Sequence, residues 1–344
     1  MQDSVNSYLR QLLTQIEEHA PTKDEQRKIA TDKAGYIFDK LMRKKFRRRI
    51  GETTKKDIHE KIEVSLKEGK PLHFCMPFGG YKHYWNPSHP EPDWAELFNL
   101  RYMTDYVLPV LAVHEPGVVL EYISCDVVLR VMNNYPQAAL DRYFEAFGKL
   151  IDWYSQYAPK NLKINFFRTA NKYDRDRLIH QIEDATPERL KEFSRLSKDE
   201  QESEIHRSVR NIMWNGDKDL TELSEAEKRK RIILSRVIEL AYYEFEPQYL
   251  GDYYTEGNHI DTWFSGGLSP DNIDESLTLA GSYGSVVDFW IGRGVLFNDG
   301  SKFRSTIISQ QQYAALKNKI KTIEVKPQLV PLKNYHLIEV IENL

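Results

Sequence analysis

Between residues 3 and 69 apolar positions recur three and four apart: Tyr8, Leu9, Leu12, Leu13 and Ile16, then Ile29, Ala34, Ile37, Phe38, Leu41 and Met42. That spacing predicts a helical arm. Its second helix starts at Thr22, with Asp24 and Glu25 in the first turn, and ends in the basic run RKKFRRRIG, closed by Gly51. Cations sit favourably at a helix C-terminus, so the run reads first as a solvated helix end and second as a phosphate site. From Leu72 the rhythm changes: an apolar run at 72–76, a long loop, an amphipathic helix over about 93–113, a Pro-Gly turn at 116–117, the run VVLEYIS at 118–124, a helix over about 136–157, and NLKINFF at 161–167. Strand, helix, strand, helix, strand is the order of a parallel α/β unit.

Residues 170–247 are charged and helical in pattern, with helix starts read at Thr186 and Ser224. The chain then returns to β character in YGSVVDFWIG, FRSTIIS, IKTIEV and YHLIEVI, with a Gln-rich helix at about 310–319. The expected fold is α/β, a Rossmann-like, largely parallel sheet with an N-terminal helical arm (1–69) and a mid-chain helical insert (170–247). The core with the candidate site occupies 70–169, and the β-rich 248–344 completes it.

Composition changes this picture little. At 344 residues and 41% hydrophobic content the chain can bury a large core. A formal net charge of -3 gives no global field for nucleic acid or an anionic membrane, so neither is expected as a partner. Cys75 and Cys125 lie in or beside apolar runs, which suits buried thiols in a reducing compartment better than a disulfide frame. No charged-then-apolar leader follows Met1 and no apolar run approaches twenty residues, so the expectation is a cytoplasmic protein. A homo-oligomer stays open.

The loop after the first strand, PFGGYKHYWNPSHPEPDWAEL, is far longer than the roughly 2–6 residues such a connection needs. Reacting groups in parallel sheets gather at the C-terminal edge, where this loop lies. Gly79 and Gly80 free the backbone to turn or to approach a ligand, and Lys82 follows with a cation able to pair with phosphate or carboxylate. Alternatively the glycines only turn the chain and Lys82 is solvated. Asp93 and Glu96 form a capping-box pattern, and Glu96 is also an acid/base or lysine partner. Asp126 emerges just past a strand, as a ligand-binding carboxylate or as a cap. Asn133 and Asn134 read as turn residues first.

In order and spacing, HFCMPFGGYKHYWNP, PDWAELFNLRYM and PGVVLEYISCDVVLRV resemble the core of the isonitrile synthases and the related dityrosine and pyoverdine-type biosynthesis enzymes. The matching positions are Pro77, Phe78, Lys82, Asn86, Pro92, Asp93, Glu96, Leu100, Arg101, Pro116, Gly117 and Asp126, within about residues 30–135. The resemblance implies an enzyme of secondary metabolism that condenses an amino-acid amine with the carbonyl of a pentulose phosphate, a lyase or transferase with no cofactor. Lys82, Glu96 and Asp126 would be catalytic, and Gly79, Gly80, Asn86, Asp93 and Arg101 would bind substrate.

Weaker patterns surround these. SGGLSPDNIDES (265–276) and GSYGSVVDFWIGRGV (281–295) read as tight hairpins, or as a second wall in which Arg293 faces a phosphate or carboxylate, with Asp271 and Asp288 nearby. His259-x-Asp261 has the form of half an iron facial triad, but His336 is the one later histidine and no arginine follows it, so no metal is expected there. His83 and His89 flank Lys82 as proton carriers without zinc-ligand spacing. Two rival functions keep the same fold: a nucleotide- or phosphosugar-dependent transferase, and a non-catalytic ligand-binding scaffold whose insert binds a partner.

Overall fold

The computed structural model describes residues 1–51, 55–84, 86, 88–124, 126–133, 135–213, 223–250, 258–269, 272–279 and 287–342. Cys125, Asn134 and Asp271 lie outside the described residues, and of Asp288 only the backbone is described.

The parallel unit forms as the hydrophobic pattern dictates. Strand β2 (Leu72–Phe78) pairs in parallel with β3 (Val118–Ser124), and β3 with β4 (Leu162–Arg168). The helices α5 (Trp94–Leu111) and α7 (Gln137–Tyr154) make the crossovers, and the short α6 (Asp126–Asn133), which the sequence reading did not separate, follows β3. After the insert the chain returns to the other side of β2 as β5 (His259–Ser269), parallel to it over His73–Cys75. Successive strands thus run to one side of β2 and the last joins on the opposite side. The loop 79–93 leaves the sheet at this switch point, where open α/β sheets characteristically place their ligands.

Beyond Asp261 strand β5 pairs with β6 (Asn272–Leu279) in an antiparallel hairpin, the expected reading of SGGLSPDNIDES, and also with the short β7 (Val287–Asp288). On the outer edge β6 takes up β1 (Arg47–Ile50) in parallel. This corrects the reading of RKKFRRRIG as a helix end. The arm divides instead into α2 (Lys23–Thr31) and α3 (Lys33–Leu41), because Asp32 ends one helix and caps the next by accepting from the Gly35 amide. The capping box read at Thr22 and Glu25 is present.

The other C-terminal strands build a separate sheet in the order β10 (Ile320–Glu324), β11 (Leu337–Glu342), β8 (Arg293–Asn298), β9 (Phe303–Ile308). It packs on α5 and on β5, so α5 lies between two sheets and is buried almost all round. Its sheet-facing neighbours are aromatic: Phe78 meets Tyr122, Phe147 and Phe289 at centroid separations of 5.9, 4.7 and 5.8 Å. The first pair meets edge to face, the second is tilted and the third stacked; rings bury large areas, and such pairs add about 0.5–1.5 kcal/mol each, which makes this floor under the switch point rigid.

The insert consists of α8 (Arg175–Arg195), α9 (Lys198–Met213) and α10 (Glu225–Leu250), with a small core of Phe193, Ile205 and Val237. Ser224 and Glu227 form the expected cap of α10. Thr186 does not start a helix: its hydroxyl donates to Ile182 O within α8, whose cap is Asp174. Pro187 is tolerated inside α8. The insert meets the parallel unit chiefly through α6, by way of Val127, Met132, Leu178, Ile182, Ala241 and Tyr242. No helix among the described residues is long and apolar enough to cross a membrane.

Candidate active site

The long loop carries Lys82 on a 3₁₀ turn (Tyr81–Tyr84) and points its side chain inward. Lys82 is 3% exposed. Its ammonium donates to Asp93 Oδ1 at 3.1 Å, to Phe289 O at 3.1 Å and to Gly292 O, and stands 3.3 Å from Glu96 Oε1. Three N–H groups meet three protein acceptors, so a phosphate has no donor left on this nitrogen. The lysine pins the loop to α5 and to the chain entering β8.

Glu96 is fully buried on the first turn of α5. One oxygen accepts from the Asp93 amide at 2.8 Å, completing the capping box, and the other accepts from the Tyr143 hydroxyl at 2.8 Å. Burial pushes its carboxyl up to about 8, against the pull of the Lys82 ammonium. The Tyr143 phenol is pushed well above its ordinary value by the same burial and by Glu96. Asp93 Oδ1 gathers the amides of Ala95 at 2.8 Å and Gly294 at 3.2 Å besides Lys82. Gly294 allows this approach, since a Cβ there would lie 2.1 Å from the Ala95 nitrogen.

Above this buried group opens a cleft of about 480 Å³ between the loop and the second sheet. Lys82, Asn86, His89, Glu91 and Asp93 line it from the loop side, and Arg293, Thr322, Lys333 and Glu339 from the other. Asp93, with 29% of its side chain exposed, belongs to both the cleft and the buried group. Arg293 pairs with Glu339 at 2.9 Å and stacks 4.2 Å from the centre of the Tyr313 ring.

The structure therefore brings Lys82, Glu96, Asp93, Asn86 and Arg293 to one place. Gly79 and Gly80 are buried at the end of β2, and Gly80 gives room to a ring: a Cβ would lie 2.6 Å from Tyr143 Cδ1. Asp126 and Arg101 are not among the residues lining the cleft. Asp126 is held by Arg168 through two bonds of 3.0 and 2.9 Å, and also accepts from Ser124, Thr169 and the Ala170 amide. That makes a saturated structural pair, extended by Arg168 to Asp141 at 2.7 Å. Arg101 grips Asp105 and the carbonyls of Leu12 and Gln15, and lines a separate hollow of about 620 Å³ beside the arm. His83 packs edge-on against Tyr135, while His89 is exposed at the cleft.

Sequence reasoning missed Tyr143, Lys333, Glu339 and Arg168. Arg168 closes β4 at the C-terminal edge of the sheet and was visible there as the residue following NLKINFF. The other three carry no local signal, since they reach their partners only through tertiary packing.

The sequence matches no protein-family model and no curated protein. Among solved structures the chain is similar to the PvcA protein from Pseudomonas aeruginosa, with a TM-score of 0.57 and 14% identity, covering 90% of this chain and 99% of that one. The two proteins share the α/β Rossmann-like fold over nearly their whole lengths.

Proposed function

We propose that this chain is an isonitrile synthase-like biosynthetic enzyme that condenses an amino-acid amine with the carbonyl of a pentulose phosphate. The resemblance of residues 30–135 to that family supports the reading, and the fold shared with PvcA is compatible with it. The observation that carries it is that the cleft offers groups of both signs within one hollow: the part-exposed Asp93 carboxylate on the loop side, and Lys333 with the Glu339-paired Arg293 on the side of the second sheet.

A zwitterionic amino acid and a sugar phosphate need such an arrangement. Asp93 holds the substrate ammonium and accepts the proton it must lose to become a nucleophile. Arg293 and Lys333 take the phosphate or the carboxylate, with Asn86 and His89 beside the sugar hydroxyls. The amine nitrogen then bonds to the carbonyl carbon as the carbonyl oxygen takes up a proton, and loss of water leaves the imine. The substrate, not Lys82, supplies the nitrogen, because the Lys82 ammonium is committed to its acceptors. Lys82 and Glu96 are positioning residues that fix Asp93.

Incubating the protein with amino acids and ribulose 5-phosphate, followed by mass spectrometry, should reveal an isonitrile. Asp93→Asn should lower turnover at least a hundredfold with the fold intact by circular dichroism. Absence of product from every amino acid, or an Asp93→Asn protein with the wild-type rate, would defeat the proposal. Turnover of a nucleotide instead would identify the transferase alternative.

A further inference from the structure

A second set of chemistry-bearing side chains lies on the other face of the parallel sheet. Side chains alternate along a strand. Phe74, Met76 and Phe78 of β2 belong to the main apolar core, with Phe74 against Tyr106 of α5 and Phe78 against Phe147 of α7. His73 and Cys75 therefore point the opposite way. Parallel register sets His259 of β5 beside His73, and Asp261 beside Cys75, while Glu121 of β3 flanks Cys75 on its other side.

One ligand atom each from Cys75, His259 and Asp261 lies within 4.8 Å of the others. His259 Nε2 stands 3.4 Å from Asp261 Oδ1. The His73 and His259 rings are 6.1 Å apart, and His73 Nε2 is 2.7 Å from Glu121 Oε2. Thiolate, imidazole and carboxylate together suit Zn²⁺, with bonds of about 2.3 Å to sulfur and about 2.0–2.2 Å to nitrogen or oxygen. Tetrahedral ligands at those lengths are roughly 3.3–3.6 Å apart. The histidine–aspartate spacing already fits, and the sulfur closes the remaining gap, at most about 1.3 Å on those bond lengths, by side-chain rotation. Cys75 and His259 are buried, whereas 43% of the Asp261 side chain is exposed, which gives an ion a way in.

The geometry points to a zinc-type divalent metal site formed by Cys75, His259 and Asp261, with its fourth position open to water. No histidine distant in sequence is needed to complete His259-x-Asp261, because Cys75 on the neighbouring strand supplies the third ligand. The ion would clamp β2 to β5, which pair over only His73–Cys75 and His259–Asp261. It lies apart from the cleft lining, so its test does not depend on the amine–carbonyl reaction.

Isothermal titration of chelator-treated protein with zinc chloride should show one equivalent bound per chain, and melting by circular dichroism should shift upward with the metal. With Co²⁺ in place of zinc, a thiolate-to-metal charge-transfer band should appear, and Cys75→Ser should abolish it. Asp261→Asn, at a part-exposed position, should weaken zinc binding at least tenfold, and it decides the matter should Cys75→Ser fail to fold. Lack of stoichiometric uptake would overturn the assignment, and so would uptake unaltered in Asp261→Asn, which would leave other histidines as the binders.

Discussion

Replacing Lys82 by methionine tests the buried pair most directly, because it keeps most of the side-chain volume while removing the charge. Two costs follow. The carbonyls of Phe289 and Gly292 lose their ammonium donor, and each orphaned buried acceptor costs about 1–3 kcal/mol. Glu96, fully buried, also loses its countercharge, and stranding one member of a buried ion pair typically costs about 3–5 kcal/mol. The second cost applies only where Glu96 is ionised. In the wild type its carboxyl titrates at about 8 with Lys82 holding it down; without the ammonium it must rise further, so the variant keeps its proton where the wild type has lost it. The penalty should therefore be about 2–6 kcal/mol at pH 6 and climb above pH 8 by up to about 1.4 kcal/mol per unit. Urea unfolding followed by far-ultraviolet circular dichroism at pH 6 and pH 9 measures both. Equal penalties at the two pH values, or a smaller one at pH 9, would refute the coupling of Lys82 to Glu96, and a Lys82→Met/Glu96→Gln double variant should recover part of the loss at high pH.

Three further outcomes can be checked by the same urea unfolding. Gly80→Ala should cost about 1–3 kcal/mol by pressing a methyl group into the Tyr143 ring, and loss of the Tyr143–Glu96 bond should raise the titration midpoint of the Glu96 carboxyl and lower that of the Tyr143 phenol. Arg168→Gln leaves the buried Asp126 carboxylate without its guanidinium and should cost about 3–5 kcal/mol, a result that a merely superficial pair would not give. Glu246, buried beside Tyr173 and Tyr242, has its carboxyl raised to about 7 by desolvation. Its folded form holds a proton that the unfolded chain releases near 4.5, so the stability it contributes is full below about pH 4.5 and is lost as pH rises through about 7. Glu246→Gln should flatten stability between those values, and an unchanged pH profile would contradict this.

Much of the fold could be read from local signals. Short apolar runs alternating with helical segments gave β2, β3 and β4, and Asp93 with Glu96 announced α5, because strand runs and capping boxes are written in neighbouring residues. The arginine run at 47–50 could not be read in that way, since it becomes a strand only by pairing with β6, far along the chain. Thr186 with Pro187 mimics a helix start inside α8 for the same reason: packing of Leu178, Ile182 and Phe193 carries the helix through. In the site, the loop length pointed to Lys82 and its surroundings, yet its partners Phe289 and Gly292 contribute backbone carbonyls, which no sequence pattern names. Asp126 and Arg101 had suggestive positions, but their partners, Arg168 and the end of α1 (Gln2–Thr14), had to be brought there by tertiary structure.

The bonds from Lys82 to the carbonyls of residues 289 and 292 span more than half the chain. During synthesis on the ribosome, the loop that carries this lysine emerges long before the segment that seats it. Until then its ammonium stays hydrated, and α5 waits with its second sheet unmade. A nascent or prematurely terminated chain ending before residue 289 would thus present an aromatic surface to chaperones and proteases, and the cleft would be among the last parts of the molecule to take shape.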